Sequence, residues 1–258
     1  MRAQQTPQPG THPLRISIGE VPISLHIPEE FLLGVASRRY REFAASSADA
    51  LPVFLNREAS EQGEGWRFSY ELDGAAVVLD SSSAEFHGVR HEYALDSLLR
   101  ILLTVMLLPR RGFLLHAATV VRGGQAYVFM GRSGAGKSTV ASLSPRGTVL
   151  TDEISLLRHT DGAWQAHGTP FWGEFRAAGM NCHFPIAGIY SLEQDSKDRV
   201  EPMPAKEMLR AILPCVLFFT RDERANAALL HVLLGLVRRV PCYRLRFRRG
   251  ADFWEAIG

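Results

Sequence analysis

Two kinds of hydrophobic spacing alternate along the chain, one typical of strands and the other of helices. Apolar residues recur at every second position in 14–18 and again in 23–27, with turn-forming residues between them, which predicts two strands joined by a turn. Pro28, followed by two glutamates, predicts the start of a helix. Further strands are predicted at 53–55, 66–72, 75–79, 113–121, 126–130, 147–150, 154–158, 163–167, 186–192 and 242–248. Turn signals at Asp73–Gly74, 122–125 and 160–162 predict three hairpins, which pair 66–72 with 75–79, 113–121 with 126–130, and 154–158 with 163–167.

Helical spacing is clearest in the second half of the chain. Six apolar residues from Leu95 to Met106 fall on one helix face, which favours a core helix over a membrane or partner helix. Further helices are predicted at 138–143, from about Ala205, and at 224–239. The alternation of elements predicts an α/β fold with a mixed α+β sheet. We predict a disordered tail at 1–13, a small α+β N-terminal lobe at 14–90 and a catalytic domain at 91–258.

One stretch between a predicted strand and a predicted helix carries a specific chemistry. Residues 131–139 match the phosphate-binding (Walker A, or P-loop) pattern at every fixed position. Glycines let backbone amides turn toward phosphate oxygens, Lys137 supplies a positive charge, and the Ser138 hydroxyl can hold Mg²⁺. The pattern predicts a nucleoside triphosphate site made by Gly131, Ser133, Gly134, Ala135, Gly136, Lys137, Ser138 and Thr139.

Candidate acids and a candidate histidine surround this loop in the sequence. Asp152 and Glu153 end a short apolar strand, where an acid can hold Mg²⁺ or take a proton; the alternative is an acidic turn without a role. His116 lies on the strand that pairs with the one before the loop, and is either a catalytic residue or a core histidine. Glu174 follows an aromatic loop and is either an active-site acid or a neighbour of buried aromatic packing.

Composition and charge narrow the function classes. The formal net charge of +2 gives no electrostatic argument for binding nucleic acid or a membrane. Three scattered cysteines form no zinc or disulfide framework and, with no signal peptide at the N-terminus, indicate the cytoplasm. Arginines alternate along 242–248, as a solvated strand face or an anion site. The oligomeric state is left open.

These pieces together resemble the catalytic domain of HPr kinase/phosphorylase and its shorter relatives. The resemblance is carried by the order of a histidine strand at His116, a hairpin, the 131–138 loop, and the acidic pair Asp152–Glu153. It extends more weakly through 168–174 and 185–190. It implies a fold related to the ATP-type phosphoenolpyruvate carboxykinases, and ATP- and Mg²⁺-dependent phosphorylation of a serine hydroxyl.

The resemblance also implies roles for single residues. Asp152 would accept the proton of the acceptor hydroxyl, with Lys137 as a further catalytic residue. His116 and Glu153 would orient Asp152, the phosphate or the metal, and the metal ligands would be Ser138, Asp152 and Glu153. The chain departs from the family at Thr139, at Glu153 and in lacking the Glu-Arg-Gly-Leu-Gly signature. The acceptor therefore stays open among peptides, proteins and small molecules, and the rival hypothesis is an ATPase switch or assembly factor that phosphorylates no acceptor.

Overall fold

The computed structural model describes residues 13–27, 30–60, 63–72, 75–80, 91–145, 148–173, 179–219, 222–248, 250 and 253–258. The chain forms two compact units, residues 1–99 and 100–258. The predicted tail lies outside the described residues except for Pro13, and so do the predicted turn Asp73–Gly74 and the candidate acid Glu174. The predicted boundary after residue 90 stays a prediction.

The first unit holds a five-stranded sheet in sequence order. Its strands are β1 (Leu14–Ile18), β2 (Val21–His26), β3 (Leu51–Ser60), β4 (Gly63–Leu72) and β5 (Ala75–Asp80), and helix α1 (Glu30–Arg39) lies between β2 and β3. All neighbouring strands are antiparallel except β2 and β3, which are parallel. The predicted strand pair at 14–27 and the predicted hairpin at 66–79 are confirmed.

Helix α2 (His91–Leu107) runs across the division between the units. Within the first unit its Asp96 forms a buried ion pair with Arg39 and accepts a hydrogen bond of 2.7 Å from the hydroxyl of Tyr40. Burial raises the pKa of Tyr40 well above its usual value, and the Asp96 carboxylate adds to the shift. This polar cluster ties α2 to the end of α1 in the first unit.

The second unit is built on a nine-stranded mixed sheet. Its elements are β6 (Gly112–Arg122), β7 (Gln125–Met130), α3 (Lys137–Leu143), β8 (Val149–Thr151), β9 (Ile154–Thr160), β10 (Ala163–His167), β11 (His183–Gln194), β12 (Arg199–Pro202), α4 (Ala205–Ile212), β13 (Val216–Leu217), α5 (Glu223–Arg239), β14 (Cys242–Phe247) and α6 (Phe253–Ile257). The strand order is β10-β9-β6-β7-β11-β14-β12, with β8 and β13 also paired to β6. Because β10 pairs with β11 as well, five of the strands form a closed circuit of pairings.

Alternate residues of the central strands point to opposite faces of this sheet. One face packs against α4 and α5 through residues such as Leu115 and Val128. The other packs against α3 and α6 through residues such as Val120 and Phe129. The predicted helices at 95–106, from Ala205 and at 224–239, and the hairpins of β6 with β7 and β9 with β10, are confirmed.

The fold class is therefore mixed α and β with a large mixed sheet, as expected from the alternating periodicities. Residues 195–198 connect β11 to β12. None of the helices among the described residues is long and apolar enough to cross a bilayer.

Candidate functional site

Strand β6 brings the predicted site segments together. Its Ala117 pairs with Met130, so that the 131–139 loop begins one residue beyond this register position. On its other side His116 pairs with Ile154, the first residue of β9, and the Ala117 amide donates to the carbonyl of Glu153 at 3.0 Å. The start of the loop, His116 and the acidic pair therefore lie at neighbouring register positions of the sheet.

A buried hydroxyl network fixes the bend that carries the acidic pair. The Ser155 hydroxyl donates to the carbonyl of Ala117 at 2.9 Å and accepts hydrogen bonds of 2.7 Å from the hydroxyls of both Thr119 and Thr151. One donated and two accepted bonds use the full capacity of this hydroxyl. All three hydroxyl side chains are buried, so breaking the network would leave unsatisfied polar groups in the core.

The 131–139 loop is tightly curled around its lysine. The backbone φ is 79° at Gly134 and 110° at Gly136, both in the left-handed region that favours glycine. Lys137 opens α3 and is buried, and its Nζ donates to the carbonyl oxygens of Gly131 at 3.0 Å and Arg132 at 3.3 Å. The lysine charge is therefore held inside the curl of the loop.

Two residues from neighbouring strands support the loop from outside. The Gln194 side chain, at the end of β11, donates to the Gly134 carbonyl at 2.7 Å. The ring of Phe247, at the end of β14, lies where a Cβ at Gly136 would stand: an ideal Cβ there would be 2.5 Å from its Cζ. The position of the loop thus depends on β11 and β14, which lie far away in the sequence.

Backbone and side-chain partners orient the two acids. The Gly173 amide donates to both carboxylate oxygens of Asp152, at 3.0 and 3.1 Å. Glu153 forms an ion pair of 3.5 Å with Arg100, whose guanidinium lies 5.1 Å from the ring centroid of Phe171. Asp152 is buried, whereas Glu153 is partly exposed, so the two acids have different surroundings.

Positive charge and burial shift the basic groups of the site. Burial lowers the pKa of His116, and the charges of Lys137 and Arg100 lower it further, which favours a neutral imidazole at pH 7. Burial also lowers the pKa of Lys137, an effect opposed by Cys215 and Glu153. Burial raises the pKa of the Cys215 thiol, although the Lys137 charge and a hydrogen bond from the Gly131 backbone oppose this rise.

These groups surround a cavity of about 410 Å³. Most predicted site residues line it, while Gly131 and Ala135 belong to the loop without lining the cavity. The lining residues are His116, Ser133, Gly134, Gly136, Lys137, Ser138, Thr139, Asp152, Glu153, Gly173 and Gln194. Within the described part of the chain no three His, Cys, Asp or Glu side chains are grouped to hold a metal; the predicted metal ligands are two carboxylates and one hydroxyl.

A family model for SynChlorMet cassette protein ScmC matches residues 89–258, more than half of the chain. The chain belongs to the ScmC family. The ScmC match includes every residue that lines the 410 Å³ cavity. A comparison with curated proteins found no match.

Sequence reasoning missed three residues of this ScmC-family site. Gly173 lies in an aromatic loop whose sequence gives no sign that its amide holds Asp152. Gln194 and Arg100 carry no local signal, because each reaches the site through a strand or helix whose position depends on distant packing. No motif could have identified either residue.

The arginine-rich strand lies outside the cavity lining of the ScmC-family chain. On β14, Arg244 pairs with Glu193 and Glu207, and Arg246 pairs with Glu193 and Glu201. The following Arg248 pairs with Asp198. Because carboxylates already match these charges, the structure favours a solvated strand face over an anion site.

Proposed function

We propose that this chain is an ATP- and Mg²⁺-dependent kinase that transfers the γ-phosphate to a serine-type hydroxyl of a peptide, protein or small molecule. The observation that carries the proposal is the convergence of Lys137, Ser138, Asp152 and His116 on one cavity. A cation and a metal-binding hydroxyl serve charge neutralisation in phosphoryl transfer, and a carboxylate or a neutral imidazole can remove the proton of the acceptor.

The cavity fits a nucleotide with Mg²⁺. Its volume of about 410 Å³ lies within the usual range for small-molecule sites. Lys137 would meet the outer phosphates, and Ser138 with Asp152 or Glu153 would hold the metal. Magnesium is usually bound through one or two carboxylates together with phosphates and water, so this small set of protein ligands suits it. When bound, the metal would neutralise negative charge on the phosphates.

The remaining chemistry falls to the protein's own side chains. Asp152 acts as the general base: it lines the cavity, and the Gly173 amide holds its carboxylate in place. His116 stays neutral beside Lys137, so it can accept or donate a hydrogen bond without adding positive charge. Glu153, held by Arg100, completes the negative side of the cavity.

The resemblance to HPr kinases supports the same reaction. The order of histidine strand, hairpin, loop and acidic pair expected from that resemblance agrees with β6, β7, the 131–139 loop and the bend before β9. We therefore propose that the second unit has an HPr-kinase-like P-loop fold, related to the phosphoenolpyruvate carboxykinases.

The test is incubation of the pure protein with Mg²⁺ and γ-labelled ATP in the presence of candidate acceptors. Free serine, peptides ending in serine, HPr and an extract of the source cell are assayed by mass spectrometry. The proposal predicts one added phosphoryl group on one acceptor, abolished by Asp152→Asn and unaffected by Asp161→Asn. Asp161 is a matched control because it lies in an exposed turn with φ of 51°, which asparagine adopts readily.

Release of ADP without any labelled acceptor would instead favour the ATPase switch. Transfer that survives Asp152→Asn would remove Asp152 from the role of base while leaving the kinase assignment in place.

A further inference from the structure

A second cavity of about 390 Å³ lies on the α5 side of the sheet, separate from the phosphate-loop cavity. Its rim carries Arg111, Arg238, Arg239, His159 and His231. No acidic residue is among the described residues that line it. Its lining residue His159 lies in β9, six residues after Glu153, which corresponds to about 20 Å at roughly 3.3 Å per residue of strand.

The floor of this cavity is apolar and aromatic. Trp164 packs edge-on against Phe113 at 6.3 Å and against the His159 ring at 5.5 Å between centroids, and Val232 and Leu234 of α5 lie beside it. Trp164 is 6% exposed, and its indole Nε1 is buried with no hydrogen-bond partner among the described residues.

Gly235 leaves the space above this floor open. It lies inside the 17-residue helix α5, where glycine is less favourable than any other residue except proline. A Cβ at this position would meet only Cζ2 of Trp164, at 3.9 Å, so the packing of the protein does not require glycine. The missing side chain is what keeps the cavity open beside the ring of Trp164.

The basic and apolar residues that line the cavity indicate which chemical groups a ligand should carry. Three arginines and two histidines match carboxylates, which arginine binds in a bidentate manner. An inorganic anion would use only the rim, whereas Trp164, Val232 and Leu234 also offer an apolar surface. A peptide in which an acidic residue neighbours a large apolar residue uses both parts.

We propose that this cavity is a docking site for an acidic, apolar-containing segment of a peptide or protein partner. The site is independent of the proposed kinase reaction, since it shares no lining residue with the phosphate-loop cavity. The carboxylate pairs with Arg238 and Arg239, and the apolar side chain lies on Trp164 next to Gly235.

The test is selection of random octapeptides on the immobilised full-length protein, followed by affinity measurement of the selected peptides by fluorescence anisotropy. We expect enrichment of Asp or Glu next to Leu, Phe or Trp. Binding should weaken at least tenfold in Gly235→Leu, which fills the cavity, and in Arg238→Gln/Arg239→Gln. It should be unchanged in Arg224→Gln, an exposed arginine of the same helix outside the cavity.

The cavity-filling variant separates binding from folding, because leucine favours a helix more than glycine and the melting temperature should not fall. The proposal is overturned if no acidic sequence is enriched, or if Gly235→Leu binds the selected peptides as tightly as the original protein. Complete displacement of the peptides by millimolar inorganic phosphate would also overturn it, since the apolar floor would then contribute nothing.

Discussion

The contact between Gly136 and Phe247 gives a sharp prediction about the 131–139 loop. Replacing Gly136 with alanine imposes two separate costs. The backbone at this position has φ of 110° and ψ of 17°, which an alanine adopts only with strain. The new Cβ would also stand 2.5 Å from Cζ and 3.2 Å from Cε1 of the Phe247 ring, so the ring or the loop must move.

The two costs can be separated with a second glycine of the same loop. Backbone strain costs about 1–3 kcal/mol, and an overpacked core contact costs a further amount of about 1–3 kcal/mol. Gly136→Ala should therefore lower the free energy of unfolding by about 2–6 kcal/mol. Gly134 has φ of 79° and nothing within 4 Å of an added Cβ, so Gly134→Ala should show the strain cost alone.

A double-mutant cycle isolates the ring contact. Phe247→Leu removes Cζ, and the double variant Gly136→Ala/Phe247→Leu should be less destabilised than the sum of the two single variants by at least about 1 kcal/mol. Urea unfolding followed by tryptophan fluorescence is suitable, because Trp164, Trp172 and Trp254 all belong to the unit that carries the loop.

Two results would refute this reasoning. One is a Gly136→Ala variant no less stable than Gly134→Ala, since the ring contact would then cost nothing. The other is strict additivity in the cycle, which would mean that Phe247 does not constrain the loop.

Three further predictions concern charges outside this contact. Burial lowers the pKa of His167 to about 4, so its neutral form contributes stability above pH 6.5 that is lost as the pH falls toward 4. His167→Gln should reduce this loss of stability by about 3 kcal/mol, measured by urea unfolding at pH 6.5 and at pH 4. An unchanged loss of stability would contradict the prediction. Asp96→Ala leaves the buried Arg39 guanidinium without its carboxylate and should lower the free energy of unfolding by about 3–5 kcal/mol in the same assay. A decrease of less than about 1 kcal/mol would argue against a buried pair. Arg100→Gln removes a positive charge near His116 and should raise the pKa of that ring in an NMR titration; a constant pKa would place Arg100 too far away to act.

The sequence predicted those parts of the fold that local patterns determine. The apolar stripe from Leu95 to Met106 specifies α2, and the turn at 122–125 specifies the β6–β7 hairpin, because both signals lie within a few consecutive residues. The same holds for the loop and for the acids at the end of β8, whose convergence follows from strand pairing next to the hairpin.

Other features depend on contacts between distant segments, which a single sequence does not reveal. The parallel pairing of β11 with both β7 and β14 puts Gln194 and Phe247 against the loop, although they follow it by many residues. The Ser155 hydroxyl network also has no sequence signature, since isolated serine and threonine residues occur throughout the chain. Positioning residues are thus harder to predict than the residues they position.

The central claim is that the 410 Å³ cavity binds MgATP and that Asp152 removes the acceptor proton. The most direct measurement compares MgATP affinity, by calorimetry, with phosphoryl transfer in Asp152→Asn, Lys137→Ala and the Asp161→Asn control. We predict that Asp152→Asn keeps its affinity within about threefold while transfer falls by roughly 10²–10⁴, and that Lys137→Ala loses both. Full affinity for MgATP in Lys137→Ala, or near-normal transfer in Asp152→Asn, would contradict this account.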